Sequence, residues 1–445
     1  MTSFLRTAAL GVAVGLALGL SGCDFADIDD RPNPNGPALD DILDNPTEAN
    51  IQNLAIGVEA SARAGLGTYL VDVGVLGREY WRVSPSDPRF TQDLLGRSES
   101  VLDNNTFYII TPWSARYTTI RNANTMLLAV EANTTLSEGE KAAARGFAKT
   151  WIAYSYLLNL NLTFENGVRF IEPGDDEAGP IVGYDESLDR IAALFDEAYA
   201  DLQAGSTFFF PISIAQGIPA TVGGYAQANR GLAARTDAYR GDWAGVLDAL
   251  DDSFVDAAAP LTIGAYHQFS NNAGDVTNPF FFPLDGGGDG VLAHPSFVDD
   301  IRDEDDRISK VAERTTPRTF DGLTSAYDTD VYESPTSPIP VVRNAELLLL
   351  RAEANAQLGN AGAAVGALNV IRQAASLGDY DGETSTGALI DEVLYQRRYE
   401  LYAEGHRWLD LRRYGRLGTL PIDRPNDDVF DRFPLPEQEV LDAQS

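Results

Sequence analysis

Cysteine is nearly absent: Cys23 is the only one in 445 residues, which excludes an internal disulfide and any thiolate metal cluster. Lysine is almost as scarce, at Lys141, Lys149 and Lys310, so the basic residues are nearly all arginine. They number 33 against 66 acidic residues, a formal charge of −33. A surface of that sign repels nucleic acid phosphates and anionic lipid headgroups, so no nucleic-acid partner is expected. Histidine occurs only at His267, His294 and His406, too scattered for a ligand pair or a nucleophile and base at a recognisable spacing. No Walker loop or glycine-rich dinucleotide turn follows a plausible strand. The run Asp285-Gly286-Gly287-Gly288-Asp289-Gly290 lacks the alternating oxygen ligands and distal glutamate of a calcium loop. Neither metal nor cofactor is therefore expected. What is present is 44% hydrophobic and 10% aromatic residues, the composition of a folded protein. Two origins of the arginine-rich acidity stay open, a coding bias and a high-salt habitat in which self-repulsion is screened.

Arg6 precedes an apolar run from Ala8 to Leu20, the pattern of a secretory signal. The run is shorter than the roughly twenty residues that span a bilayer. It ends in Leu20-Ser21-Gly22-Cys23, which resembles the bacterial lipobox, where the chain is cut before the cysteine and its thiol is acylated. Residues 1–22 are thus expected to be a lipoprotein signal peptide, and Cys23 the lipidated start of the mature chain. Residues 23–38, acidic and then rich in proline and asparagine, read as a solvated tether. Membrane attachment would be through the lipid alone.

From residue 39 onward, apolar residues recur at helical spacing near 39–64, 111–133, 137–162, 185–204, 219–239, 242–252, 343–358, 361–377 and 387–415. A shift of 118 residues lays Leu232, Ala234, Ala238, Gly241, Asp242, Ala249 and Leu250 on Leu350, Ala352, Ala356, Gly359, Asn360, Ala367 and Leu368. The expected fold is mainly α, one domain over 39–445 of stacked tetratricopeptide-like helix pairs with long irregular loops and few short strands. The span 260–340 is its long loop-rich insertion and a candidate for function. On the last predicted helix, Arg397, Glu400, Glu404 and Arg407 follow spacings of three, four and three, which places them on one half-buried line of alternating ion pairs. Carboxyls between arginines stay ionised, so this stripe reads as structural rather than catalytic.

The same C-terminal stretch carries Gln396-Arg397, Glu400-Leu401, Glu404-Gly405, Arg407 and Asp410-Leu411. Upstream stand Arg343-Asn344-Ala345-Glu346 and Ala352-Glu353, and downstream Phe433-Pro434-Leu435-Pro436. In these motifs the chain resembles the SusD/RagB family of outer-membrane nutrient-binding lipoproteins. The resemblance implies a SusD-like helical fold on the extracellular face of the outer membrane. It also implies a lid role over a TonB-dependent, SusC-like transporter barrel, with an oligosaccharide or peptide as ligand and no chemistry performed. The residues themselves leave two alternatives open, a lipid-anchored surface hydrolase on a helical scaffold and a helical-repeat scaffold that binds no ligand.

Ligand residues cannot be carried over by position, so they are chosen physically. A sugar receptor needs exposed aromatic platforms flanked by charged and amide groups. Arg78-Glu79-Tyr80-Trp81-Arg82, followed by the loop through Asp87, offers that combination; Tyr266-His267 and the run Phe280-Phe281-Phe282, centred on Phe281, come second.

Overall fold

The computed structural model describes residues 43–175 and 179–442. The signal peptide, Cys23 and the tether lie outside the described residues, and from Thr47 onward the chain forms one compact unit.

Side-chain caps set where helices begin. Thr47 accepts the Asn50 amide at the head of α1 (Glu48–Ala62), in a reciprocal capping box. A turn at Gly65 leads into α2 (Leu66–Leu76), β1 (Tyr80–Val83) and the short α3 (Arg89–Gln92). The long pair α4 (Phe107–Ala132) and α5 (Glu138–Thr163) follows, the second opened by a Ser137–Glu140 capping box. Next come β2 (Val168–Arg169), β3 (Ile181–Val182), α6 (Tyr184–Ala204) and β4 (Ala215–Gln216). The repeat anticipated by offset appears as α7 (Val222–Arg240) with α8 (Trp243–Asp251), and again later in the chain. Between the two copies run β5 (Gly264–His267), β6 (Gly290–Ala293), α9 (Pro295–Asp299), β7 (Val311–Phe320), β8 (Leu323–Thr329) and β9 (Ile339–Arg343). The second copy is α10 (Asn344–Gln357) with α11 (Ala361–Ala374). Then α12 (Thr386–Glu400), α13 (Arg407–Arg413) and α14 (Glu437–Asp442) end the described chain.

Helices α4 to α8 pack each on the next, and α10 packs on α8, α11 and α12, which gives the stacked-pair architecture. In both repeat turns a glycine takes positive φ, Gly241 at 73° and Gly359 at 76°, where a side chain would be strained. Asp242 then caps α8 by accepting the Gly245 amide at 3.0 Å. Asn360, its counterpart, makes no such cap and donates to Asn355 instead.

One expectation needs correction. The helix expected over 387–415 is two helices. α12 stops at Glu400, and Ala403 and Gly405 both take positive φ, at 62° and 85°. A Cβ on Gly405 would lie 3.2 Å from Val73, so the turn presses directly on α2. Arg397, Glu400, Glu404 and Arg407 therefore do not pair along one helix face. Arg397 binds Asp410 at 2.6 Å, while Glu400 and Glu404 both bind Arg343, at 2.8 and 2.7 Å. Arg407 donates to the Gly77 carbonyl at 2.9 Å, with Glu79 as its neighbouring carboxylate. The span 260–340 carries the few strands expected among its loops, which pair with strands from elsewhere in the chain. β1, β6, β8 and β7 form one four-stranded sheet and β4, β5 and β9 a three-stranded one.

The acidic and basic residues of the C-terminal motifs form a buried network across the helices. Besides the pairs above, Arg235 of α7 binds Glu346 at 2.6 Å and Arg413 binds Glu353 at 2.8 Å and Asp410 at 3.0 Å. Arg235, Arg343 and Arg413 each tie two elements distant in sequence, so these charges fix how the repeats dock.

Candidate ligand-binding surface

Both faces of β1 are covered. Tyr80 points into the helical layer, where its hydroxyl donates to the Leu70 carbonyl at 2.6 Å and its ring meets Phe280 and Tyr402 edge-on. Gly74 makes room for it, since a Cβ there would lie 2.0 Å from the phenol. Trp81 points the other way, against His294, and its indole N–H donates to Asp423 at 3.0 Å. Its ring is 4% exposed, so it offers no platform to a sugar. This corrects the choice of Tyr80 and Trp81 as ligand contacts: both are buried, and the C-terminal segment carrying Asp423 folds back onto Trp81. Trp81→Ala is accordingly expected to cost about 3–5 kcal/mol of stability, as buried aromatic truncations do, measured by urea unfolding.

Their neighbours are buried as well. Arg78 reaches Asp423 at 3.4 Å and the Asp428 carbonyl at 2.6 Å. Glu79 is 3% exposed, and burial pushes its carboxyl up to about 8 despite the Arg407 charge beside it. Tyr266 donates to the Thr262 carbonyl at 2.6 Å, and His267 lies among Trp151 and Tyr154. Burial, with Arg116 and Arg63 adding to it, lowers His267 to about 3, so it stays neutral in the core. These residues too are corrected from ligand contacts to core groups.

Two of the chosen positions, Asp87 and Phe281, are partly exposed, and a third, Arg82, is buried with only 9% of its surface exposed. Arg82, at the end of β1, binds Asp289 at 3.0 Å and lies 4.6 Å from the Phe282 ring centroid and 5.4 Å from that of Phe90. Asp87 accepts Arg89 through two bonds of 2.8 and 2.7 Å, which hold its carboxyl below the usual range. Phe281 is half-buried. Arg89 in turn lies over Phe107, which stands edge-on to Phe90 at 4.9 Å. The structure thus assembles a rim in which half-buried Phe90, Phe107 and Phe282 alternate with Arg82 and Arg89, while Asp87, Asp289 and Ser84 supply oxygen. Phe90 and Phe107 were not singled out from sequence, because an isolated phenylalanine reads first as core.

The glycine run beside this rim is held by arginine. Arg318 donates to the carbonyls of Gly286, Gly287 and Gly288 at 3.1, 3.2 and 2.5 Å, and Arg314 donates to that of Gly286 at 3.2 Å. These guanidiniums sit where a cation would otherwise gather the same oxygens.

A serine, a histidine and an aspartate also come together. Ser296 Oγ is 2.9 Å from His294 Nδ1, and His294 Nε2 is 2.7 Å from Asp423. The surroundings are those of a helix cap. Nδ1 also accepts the Ser296 amide at 3.1 Å, opening α9, and Oγ accepts Arg398 at 2.9 Å. The histidine ties α9 to the C-terminal segment, and nothing aims the hydroxyl at a substrate position.

Stacked helix pairs joined by long irregular segments define a helical-repeat protein. Residues 315–440 match the SusD family. A SusD-like protein of Formosa agariphila is 41% identical over 83 residues, a match spanning 17% of this chain and 16% of that protein. The fold is shared nearly end to end with solved structures. A SusD-like protein from Bacteroides fragilis superposes with a TM-score of 0.69 at 15% identity, covering 92% of this chain and 98% of that one. Surface glycan-binding protein A from Bacteroides uniformis gives 0.67 at 16% identity, covering 89% and 98%. The family match is thus confined to residues 315–440, and the likeness to the solved structures shows a shared SusD-like fold over most of the chain. No helix among the described residues is long and apolar enough to cross a membrane.

Proposed function

We propose that this chain is a cell-surface nutrient-binding lipoprotein. Anchored through Cys23 on the outer face of the outer membrane, it captures a glycan, or failing that an oligopeptide, and hands it unaltered to a TonB-dependent, SusC-like barrel. The observation that carries the reading is the rim of Phe90, Phe107 and Phe282 interleaved with Arg82, Arg89, Asp87 and Asp289. Sugar rings offer apolar C–H faces and hydroxyl edges, and this surface offers rings beside fixed donors and acceptors. The glycan-binding description of the Bacteroides uniformis relative lends support at the level of the family.

The test is retardation of the protein in gels carrying a panel of polysaccharides. The double variant Phe90→Ala/Phe282→Ala is expected to bind the retained polysaccharide about tenfold more weakly or worse, a loss in the range of hot-spot aromatics. Its thermal midpoint should fall only slightly, because both rings are half-buried. Unchanged retardation would move the site elsewhere on the surface.

A further inference from the structure

An open cleft of about 500 Å³ that shares no lining residue with that rim lies where the loop after α9, the end of α11, the 375–385 loop and α12 meet. Its volume falls within the roughly 300–1,000 Å³ typical of small-molecule sites. The floor is an ion cluster. Glu392, with its side chain 4% exposed, accepts Arg302 through bonds of 2.8 and 2.6 Å, Gln396 at 2.7 Å, and Arg372. Burial alone would raise this carboxyl, but those donors outweigh it and hold it low. Arg302 is itself stacked 3.7 Å from the Tyr395 ring centroid, yet 40% of its side chain remains exposed to the cleft and solvent.

One wall is Tyr380, and it is fixed in place. Its amide donates to Asn369 at 2.8 Å and its hydroxyl to the Glu383 carbonyl at 2.8 Å. Gly382 packs so closely that a Cβ there would come within 2.6 Å of the hydroxyl. Asp381 and Asp391 stand at the mouth, the latter 62% exposed and 2.5 Å from Arg416. An aromatic wall, guanidinium donors held rigid from below and carboxylate acceptors at the edge are thus brought together before any ligand arrives, which removes ordering cost from binding.

We propose that this cleft is a second ligand site, separate from the aromatic rim, that takes a short neutral saccharide of one or two rings. Its two arginines are offset by three lining carboxylates, and the whole chain carries −33, so an acidic sugar gains nothing here and is repelled at long range. A polyhydroxylated neutral ring both donates and accepts, as the lining requires, and is not repelled.

Saturation-transfer NMR and calorimetry with maltose, cellobiose, mannobiose and digalacturonate test it on the whole chain. At least one neutral disaccharide should bind, digalacturonate should bind more weakly, and Tyr380→Ala and Asp391→Asn should each weaken the neutral ligand about tenfold. Gly382→Ala, which displaces the tyrosine ring, should do the same without altering any polar group. Phe90→Ala/Phe282→Ala should leave this binding intact, which separates the cleft from the rim. Thermal melts establish that each variant is folded, and two of the three cleft variants alone suffice. Absence of binding by all three neutral disaccharides, preference for digalacturonate, or equal binding in the folded cleft variants would overturn the proposal.

Discussion

Arg343→Met is expected to lose about 3–5 kcal/mol of stability or to fail to fold, the range for breaking a buried pair by removing one partner. Arg343 is 5% exposed at the end of β9 and holds Glu400 at 2.8 Å, Glu404 at 2.7 Å and the Glu400 carbonyl at 2.6 Å. It thereby closes the turn between α12 and α13, where Ala403 and Gly405 take positive φ. Without the guanidinium, two carboxylates are left in low dielectric near each other, with Lys310 on the Glu400 carbonyl as a neighbouring cation. The triple change Arg343→Met/Glu400→Gln/Glu404→Gln removes the stranded charges and should recover much of the loss. Urea unfolding at neutral pH reads both. A single variant within about 0.5 kcal/mol of the parent, the range of ordinary surface changes, would mean the cluster does not hold the turn.

The second large effect is on pH. Glu79 is buried at the start of β1, with one carboxyl oxygen lacking a hydrogen-bond partner, and its folded-state value is about 8 against an ordinary 4.5. Arg407 and Arg398 oppose the rise and Glu404 adds to it, but burial dominates. Between those two values the unfolded chain releases this proton while the folded one keeps it. Stability therefore falls as pH rises through that window, by at most about 1.4 kcal/mol per unit, and levels off above it. Asp72, raised by burial, acts in the same direction, as do Glu59 and Asp237, each raised to about 6. His267, lowered to about 3, acts in the opposite sense: stability is lost as pH falls below 6.5. Stability should peak in mildly acidic solution, and Glu79→Gln should flatten the decline on its alkaline side. Unfolding free energies at several pH values between about 5 and 8 measure the slope, and a variant as steep as the parent would assign the titration to another group.

Helix pairing was legible because it is local. Gly241 and Gly359 each need positive φ in a turn between alanine-rich faces, and Ser137 three residues before Glu140 announces α5. Helix α2 was missed because residues around its whole circumference, from Leu66 to Leu76, are buried, and a helix without a polar face has no periodicity to read. The break after Glu400 was hidden for the opposite reason: apolar spacing continues through the turn, and the backbone bend at Ala403 has no signature in side-chain type. Phe320-Asp321-Gly322-Leu323 did carry a signal, since Asp321 and Gly322 at φ 52° and 80° make the hairpin turn joining β7 to β8.

The sites were less legible than the frame because their partners are remote. Trp81 looked exposed from its charged neighbours, and only Asp423, 342 residues away, turns it into core. The cleft at Tyr380 draws Arg302, Arg372 and Glu392 from three separate segments, and the rim draws Phe90 and Phe282 onto one arginine. Composition argued against nucleic acid and anionic lipid as partners from the outset, but which rings remain at the surface is decided by packing.

The most direct measurement incubates the lipid-free chain with a polysaccharide panel and follows gel retardation and new reducing ends in the same samples. The expected result is retention by at least one neutral polysaccharide whose chain length stays unchanged. Shortened chains would make the protein an enzyme, and no retention by any member would leave a scaffold that grips no nutrient.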